Sequence, residues 1–213
     1  MTSILGRAAV VLAAGGVLAL SGCGSALPER FYTLSAQGTQ PGDGTQFAPQ
    51  SPPALDLSIA VAAVTIPGTL DRPQMVLFAG DGRIDLTEQE RWGEPLAHGI
   101  ARTLAEDLRS RLGVPIVAAY PQDASAHARF KITVDFSHLD ARSGDVLLDA
   151  IWTVRDTQVT QPGVIPGAQS GHTVLTQPVL GLGGESSVLA QSAALAHLSD
   201  ALAAAVKMLE QPH

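Results

Sequence analysis

The chain has 213 residues, is 46% hydrophobic and only 15% charged, and carries a formal net charge of −7. That balance excludes a disordered chain and a nucleic-acid binder, which needs a concentrated basic face to meet phosphates. The length suits one domain with a sizeable core. A single cysteine, Cys23, excludes an intramolecular disulfide framework and any multi-thiolate metal centre.

The first 22 residues hold one charge, Arg7, followed by an uncharged apolar run from Ala8 to Leu20. A positive start, a short apolar stretch and then small residues predict a secretory signal; a spanning helix needs about 20 apolar residues. Leu20-Ser21-Gly22-Cys23 resembles the bacterial lipobox. In such signals the cysteine thiol takes a diacylglyceryl group and the peptidase cuts just before it. The small residues let the backbone enter the peptidase site, and the thiol is the nucleophile that accepts the lipid. The expectation is therefore a mature chain starting at Cys23, held on a membrane by acyl chains rather than threaded through it. Nothing later in the sequence is expected to span. In Gram-negative lipoproteins an Asp after the cysteine favours inner-membrane retention. Gly24 and Ser25 stand there instead, which points to the outer membrane, facing the periplasm.

Residues 23–54 form the expected lipidated amino terminus. They contain a β-prone piece, Arg30 to Leu34, and a Gly/Pro-rich linker at 35–54. Residues 55–213 form the expected domain. LDLSIAVAAVTI (55–66) is apolar on both faces in its second half, which predicts a strand covered on both sides there. QMVLFAG (74–80) and RIDL (83–86) flank a Gly-Asp-Gly turn and predict a hairpin. Residues 94–112 predict a helix: Leu96, Ile100, Leu104, Leu108 and Leu112 recur every fourth residue, with Ala97, Ala101 and Ala105 beside them. Arg102, Glu106, Arg109 and Asp107 are placed on its wet side, with Gly113 as its stop. VPIVAAY (114–120) is a short strand. In 129–139, Phe130, Ile132, Val134 and Phe136 alternate with polar residues, predicting a half-buried strand paired with 146–156. From Thr157 to Gly184 no Asp, Glu, Lys or Arg occurs, and 172–180 is a further strand candidate. This stretch is read either as an apolar surface for a partner or lipid, or as covered strand and loop. A long alanine-rich helix closes the chain at 186–211, with Ser186 or Ser187 as its cap.

Catalytic patterns are scarce. The six histidines are scattered, without an HExxH or comparable ligand spacing. Gly181-Leu182-Gly183-Gly184 precedes a helix but lacks a P-loop lysine, so it reads as a turn. Asp85, Glu88, Glu90 and Glu94 could do acid–base work, although charge running into a helix start is favourable in itself. No GxSxG elbow is present. No catalytic residue, metal ligand or cofactor is expected.

Three segments in series carry a family resemblance: FYTL (31–34), LDRPQMV (70–76) and RWGEPLAHGIARTLAEDL (91–108), with LLDAIWTV (147–154) beyond. Together they resemble the ABC-type transport auxiliary lipoproteins, the PqiC/YmbA-like group. The resemblance implies a single α/β domain, a mixed sheet of about five strands packed with two main helices, similar to the amino-terminal domain of TolB. It also implies a non-enzymatic lipoprotein that works with an MCE-domain protein and an inner-membrane permease in lipid transport, and it leaves homo-oligomerisation open. A structural envelope lipoprotein without a transport partner is the alternative. Asp71, Arg72, Pro73 and Gln74 match the LDRPQ segment, either as a rigid turn or as a partner contact. Arg91 and Trp92 match the RW pair, with Trp92 expected to pack against the first helix.

Overall fold

The computed structural model describes residues 28–37, 58–80, 82–114, 117–119, 122, 127–158 and 167–210. Cys23, its lipobox and most of the 35–54 linker lie outside the described residues.

Among the described residues, eight strands and two helices follow in the order β1 (Arg30–Tyr32), β2 (Ile59–Thr65), β3 (Gln74–Gly80), β4 (Arg83–Trp92), α1 (Leu96–Leu112), β5 (Val117–Ala119), β6 (Phe130–Arg142), β7 (Asp145–Asp156), β8 (Ala168–Pro178) and α2 (Gly183–Glu210). All eight strands join one mixed sheet. The expected mixed sheet with two packed helices is present, with eight strands where about five were expected. The extra strands come from short or edge pieces that the pattern itself marks, β1, β5 and β8 among them.

The long strand β6 organises the sheet. Along one edge it pairs with antiparallel β7, which pairs in turn with β8. Along the other edge it meets β2 first and β3 later, both parallel. From Asp135 to Ala141 β6 advances six residues, while its partners advance twelve, from Thr65 to Leu77. The surplus chain, around Pro67 to Pro73, is extruded between the two strands. Backbone bonds close it into a turn: the Leu70 N–H donates to Pro67 O, and the Arg72 N–H to Leu70 O, both at 2.8 Å.

One face of the sheet carries the core. Phe130, Ile132 and Val134 of β6, and Val146, Leu148, Ala150 and Val154 of β7, are 0–1% exposed under the helices. Each of these apart from Ala150 contributes about 1.5–3 kcal/mol on burial. A register shift between Phe136 and His138 changes the phase, so that Leu139 and Ala141 point inward. In α1, Leu96, Ile100, Leu104 and Leu108 are buried as the periodicity predicts, and Gly113 ends the helix at φ 64°.

Four expectations need correction. In β2 the doubly buried part is Ile59 to Val61, and the second half alternates, because the flanking strand β5 pairs only with residues 59–61. Asp107 is fully buried rather than wet, since it lies seven residues beyond Ile100 on the same helix face. Neither serine caps α2: the helix starts at Gly183, and the Ser187 hydroxyl bonds back to Gly183 O at 3.3 Å. Finally, α2 is long and apolar enough to cross a membrane by length and composition, but its inward face is committed to the core. Leu195, Leu198 and Leu202 are fully buried there.

Candidate functional site

The three motif segments, far apart in the chain, meet at one corner of the sheet. β1 runs parallel to the end of β4, pairing Phe31 with Arg91 and Tyr32 with Trp92. On the other side of β4, Gln74 pairs with Arg91. Phe31, Arg91 and Gln74 thus form one cross-strand row, one residue from each segment. The Trp92 N–H donates to Pro73 O and the Gly93 N–H to Tyr32 O, both at 2.8 Å. The strand pairing that positions these residues is backbone-encoded, and proline at 73 is compatible because only its carbonyl is used.

A groove of about 390 Å³ lies at this corner, lined by Asp71, Arg72, Pro73, Trp92, Glu94 and Leu96 among others. Trp92 forms its floor: it is 9% exposed and belongs to the main core cluster, as expected of a packing anchor. Asp71 and Pro73 are exposed at the rim. Arg72 is half-buried, and its Nε has no hydrogen-bond partner. The Arg91 Nε lies 3.3 Å from Glu29 Oε1.

The residue that braces the corner is one the sequence pattern did not single out. Arg102 donates to Glu94 Oε1 from Nη2 at 2.8 Å and from Nε at 3.2 Å, and to Leu34 O from Nη2 at 2.9 Å. Burial alone would lower its pKa, but the hydrogen bonds and charges of Glu94 and Glu106 leave it raised. It ties the β1 segment to the start of α1. Its eight-residue offset from Glu94 was the one available signal, and it requires knowing that Glu94 precedes the helix.

The acidic cluster disperses. Asp85 pairs with Arg83 within the hairpin, at 3.3 Å. Glu88 is exposed on β4. Glu90 Oε1 accepts the Gly184 N–H at 3.2 Å, and Glu94 serves Arg102. Asp85, Glu88 and Glu90 sit on β4 rather than leading directly into α1, because β1 extends the pairing of β4 as far as Trp92, and Glu94 alone lies in the turn before the helix. The glycine-rich segment is a turn into α2, and a carboxylate already occupies the helix N-terminus where a phosphate would bind. Among the described residues no three His, Cys, Asp or Glu side chains lie close enough to hold a metal ion. Chemically, the corner offers a shallow mixed-charge groove on a rigid aromatic floor.

Comparisons with known proteins agree with this architecture. A family model described as ABC-type transport auxiliary lipoprotein component matches residues 32–203. No curated relative matches the sequence. A crystal structure of an uncharacterized protein is 16% identical, with a TM-score of 0.64, covering 84% of this chain and 99% of that one. A crystal structure of a Xanthomonas campestris protein of the DUF330 family is 11% identical, with a TM-score of 0.56, covering 84% and 95%. At these identities the likeness shows the fold.

Proposed function

The chain belongs to the family of ABC-type transport auxiliary lipoprotein components, and from that premise we propose that it is a non-catalytic, lipid-anchored subunit of an MCE-type lipid transport system. In this reading Cys23 carries the acyl chains, and Gly24 and Ser25 direct the protein to the outer membrane, facing the periplasm. The folded domain then docks an MCE-domain protein and its inner-membrane permease at that membrane. The family supports an auxiliary role at a transporter in the cell envelope. The observation that carries the docking part is the convergence of Phe31, Gln74 and Arg91 in one row beside the Asp71–Trp92 groove.

The test is affinity purification of the tagged protein from crosslinked envelope. Recovery of an MCE-domain protein and a permease is expected, and their consistent absence would overturn the transport reading. Fatty-acid labelling of the wild-type chain should disappear in Cys23→Ala; labelling that persists in that variant would remove the anchor assignment.

A further inference from the structure

Eight large hydrophobic side chains are exposed among the described residues, and two stand apart from the rest. Leu180 and Leu182 are 88% and 96% exposed, whereas the other six lie between 40% and 62%. Both sit on the uncharged turn Val179-Leu180-Gly181-Leu182, which joins β8 to Gly183 and Gly184, the first residues of α2. The turn is held at both ends. The Val179 N–H donates to Gly144 O at 2.9 Å, the Gly184 N–H donates to Glu90 Oε1 at 3.2 Å, and the Ser186 hydroxyl bonds back to Leu182 O at 3.4 Å. Gly181 has φ +127°, and a Cβ there would collide with the Ser186 hydroxyl. A backbone fixed this firmly, with two leucines turned into water, forgoes apolar burial unless something covers them.

What covers them is indicated by where the chain leaves the described structure. β1 starts at Arg30, which pairs with Glu90, and the Glu90 carboxylate holds Gly184, two residues beyond Leu182. Pro28 and Arg30 line a groove with Leu86 and Glu90 on the same strand. Pro28 is five positions after Cys23, with four residues between them, at most about 18 Å of chain. The start of β1 and the leucine turn therefore meet around Glu90. The turn itself offers no charged group by which a protein partner could be selected, while its apolar side chains suit an acyl layer.

We infer that Leu180 and Leu182 form a second, non-covalent membrane contact, inserting into the same bilayer that holds the acyl chains on Cys23. The domain then stands on that membrane in one orientation instead of swinging on the few residues between Cys23 and Pro28. This rests on the proposed acylation of Cys23.

The test uses the full-length protein purified from envelope and reconstituted in phosphatidylethanolamine/phosphatidylglycerol vesicles. Leu182→Cys receives an environment-sensitive fluorophore; Asp200→Cys, on an exposed part of α2, is the control. The fluorophore at 182 should shift to the blue and lose emission when the vesicles carry nitroxide-labelled acyl chains, and the control should do neither. Intact mass reports the state of Cys23 separately. An acylated protein with an unquenched label at 182 overturns the inference and leaves the anchor standing. A quenched label on a chain without acyl groups keeps the membrane contact and removes the anchor. A blue shift that grows with protein concentration without nitroxide quenching assigns the turn to a second copy, and also overturns the inference.

Discussion

Glu90 and Gly184 are 94 positions apart in the chain, yet Glu90 Oε1 accepts the Gly184 N–H at 3.2 Å. The carboxylate meets the free N–H groups and positive dipole end at the start of α2, where negative charge is stabilising. Gly184 leaves room for the approach, since a Cβ there would lie 3.0 Å from both the Glu90 carboxylate and the Tyr32 ring and would press them aside. One contact thus joins β4, β1 and the last helix, and connects the motif corner to the exposed leucine turn.

The cap has a measurable worth. Glu90→Gln keeps an acceptor in place but removes the charge, and should lower unfolding free energy by about 0.5–1 kcal/mol. Glu90→Ala removes both and should cost about 1–2 kcal/mol. Urea denaturation followed by circular dichroism checks this. An alanine variant as stable as wild type would mean that the helix start draws nothing from β4.

A second close approach fixes the outer strand. A Cβ on Gly171 of β8 would run into the Trp152 indole on β7, the residue directly opposite in register. The indole is held there by its Nε1–H donating to Thr173 Oγ1 at 3.0 Å. Gly171→Ala must push the ring aside, at a cost of about 1–3 kcal/mol, with a shift in tryptophan emission. Trp152→Phe in the same chain frees space and should recover part of the loss. If the single and double variants melt together, the contact is not what restricts position 171.

Much of this arrangement was legible from periodicity. The four-residue leucine repeat of α1 and the two-residue alternation of β6 each report burial against one surface, and both faces are buried as they imply. Long-range choices were not legible. Asp107 shares the face of Ile100 and has Arg111 one turn away, both legible in the spacing, but the sequence does not show that the Gln37 N–H, 70 positions off, would meet it at 3.1 Å and let it be buried there. Ser187 resembled a cap because the real cap comes from a different strand. The motif residues Asp71 to Gln74, Arg91 and Trp92 could be picked out, but their meeting at one corner depends on β1 pairing with β4. A three-residue parallel pairing leaves no pattern in sequence.

The buried Asp107 makes stability depend on pH in an unusual direction. Burial pushes its carboxyl pKa up from the ordinary 3.8, ahead of the opposing pull of Arg111 and the Gln37 N–H. Its Oδ2 is buried with no hydrogen-bond partner. The folded state therefore holds this proton more tightly than the unfolded chain does. Ionised Asp107 costs stability at neutral pH, and the cost is relieved as pH falls through the folded pKa towards the unfolded one. Asp107→Asn carries no such titration. The Tm of that variant minus the Tm of wild type should rise as pH increases from the ordinary carboxylate value to neutrality. A difference that shrinks over that range would show that the ion pair with Arg111 outweighs desolvation.

The same corner allows docking to be separated from folding. Asp71 is exposed at the groove rim, and among the described residues its carboxylate accepts no hydrogen bond. Asp71→Arg should change stability by no more than about 0.5 kcal/mol, while inverting the charge a partner would meet. Trp92, at 9% exposure, is the groove floor and part of the core, so Trp92→Ala should cost about 3–5 kcal/mol and reduce folded protein altogether. If the corner is a docking site, Asp71→Arg lowers recovery of the MCE-domain protein from crosslinked envelope at unchanged Tm and unchanged protein level. If recovery stays at the wild-type value, the LDRPQ segment is a rigid turn that closes the gap between β2 and β3, and the partner contact lies elsewhere on the domain.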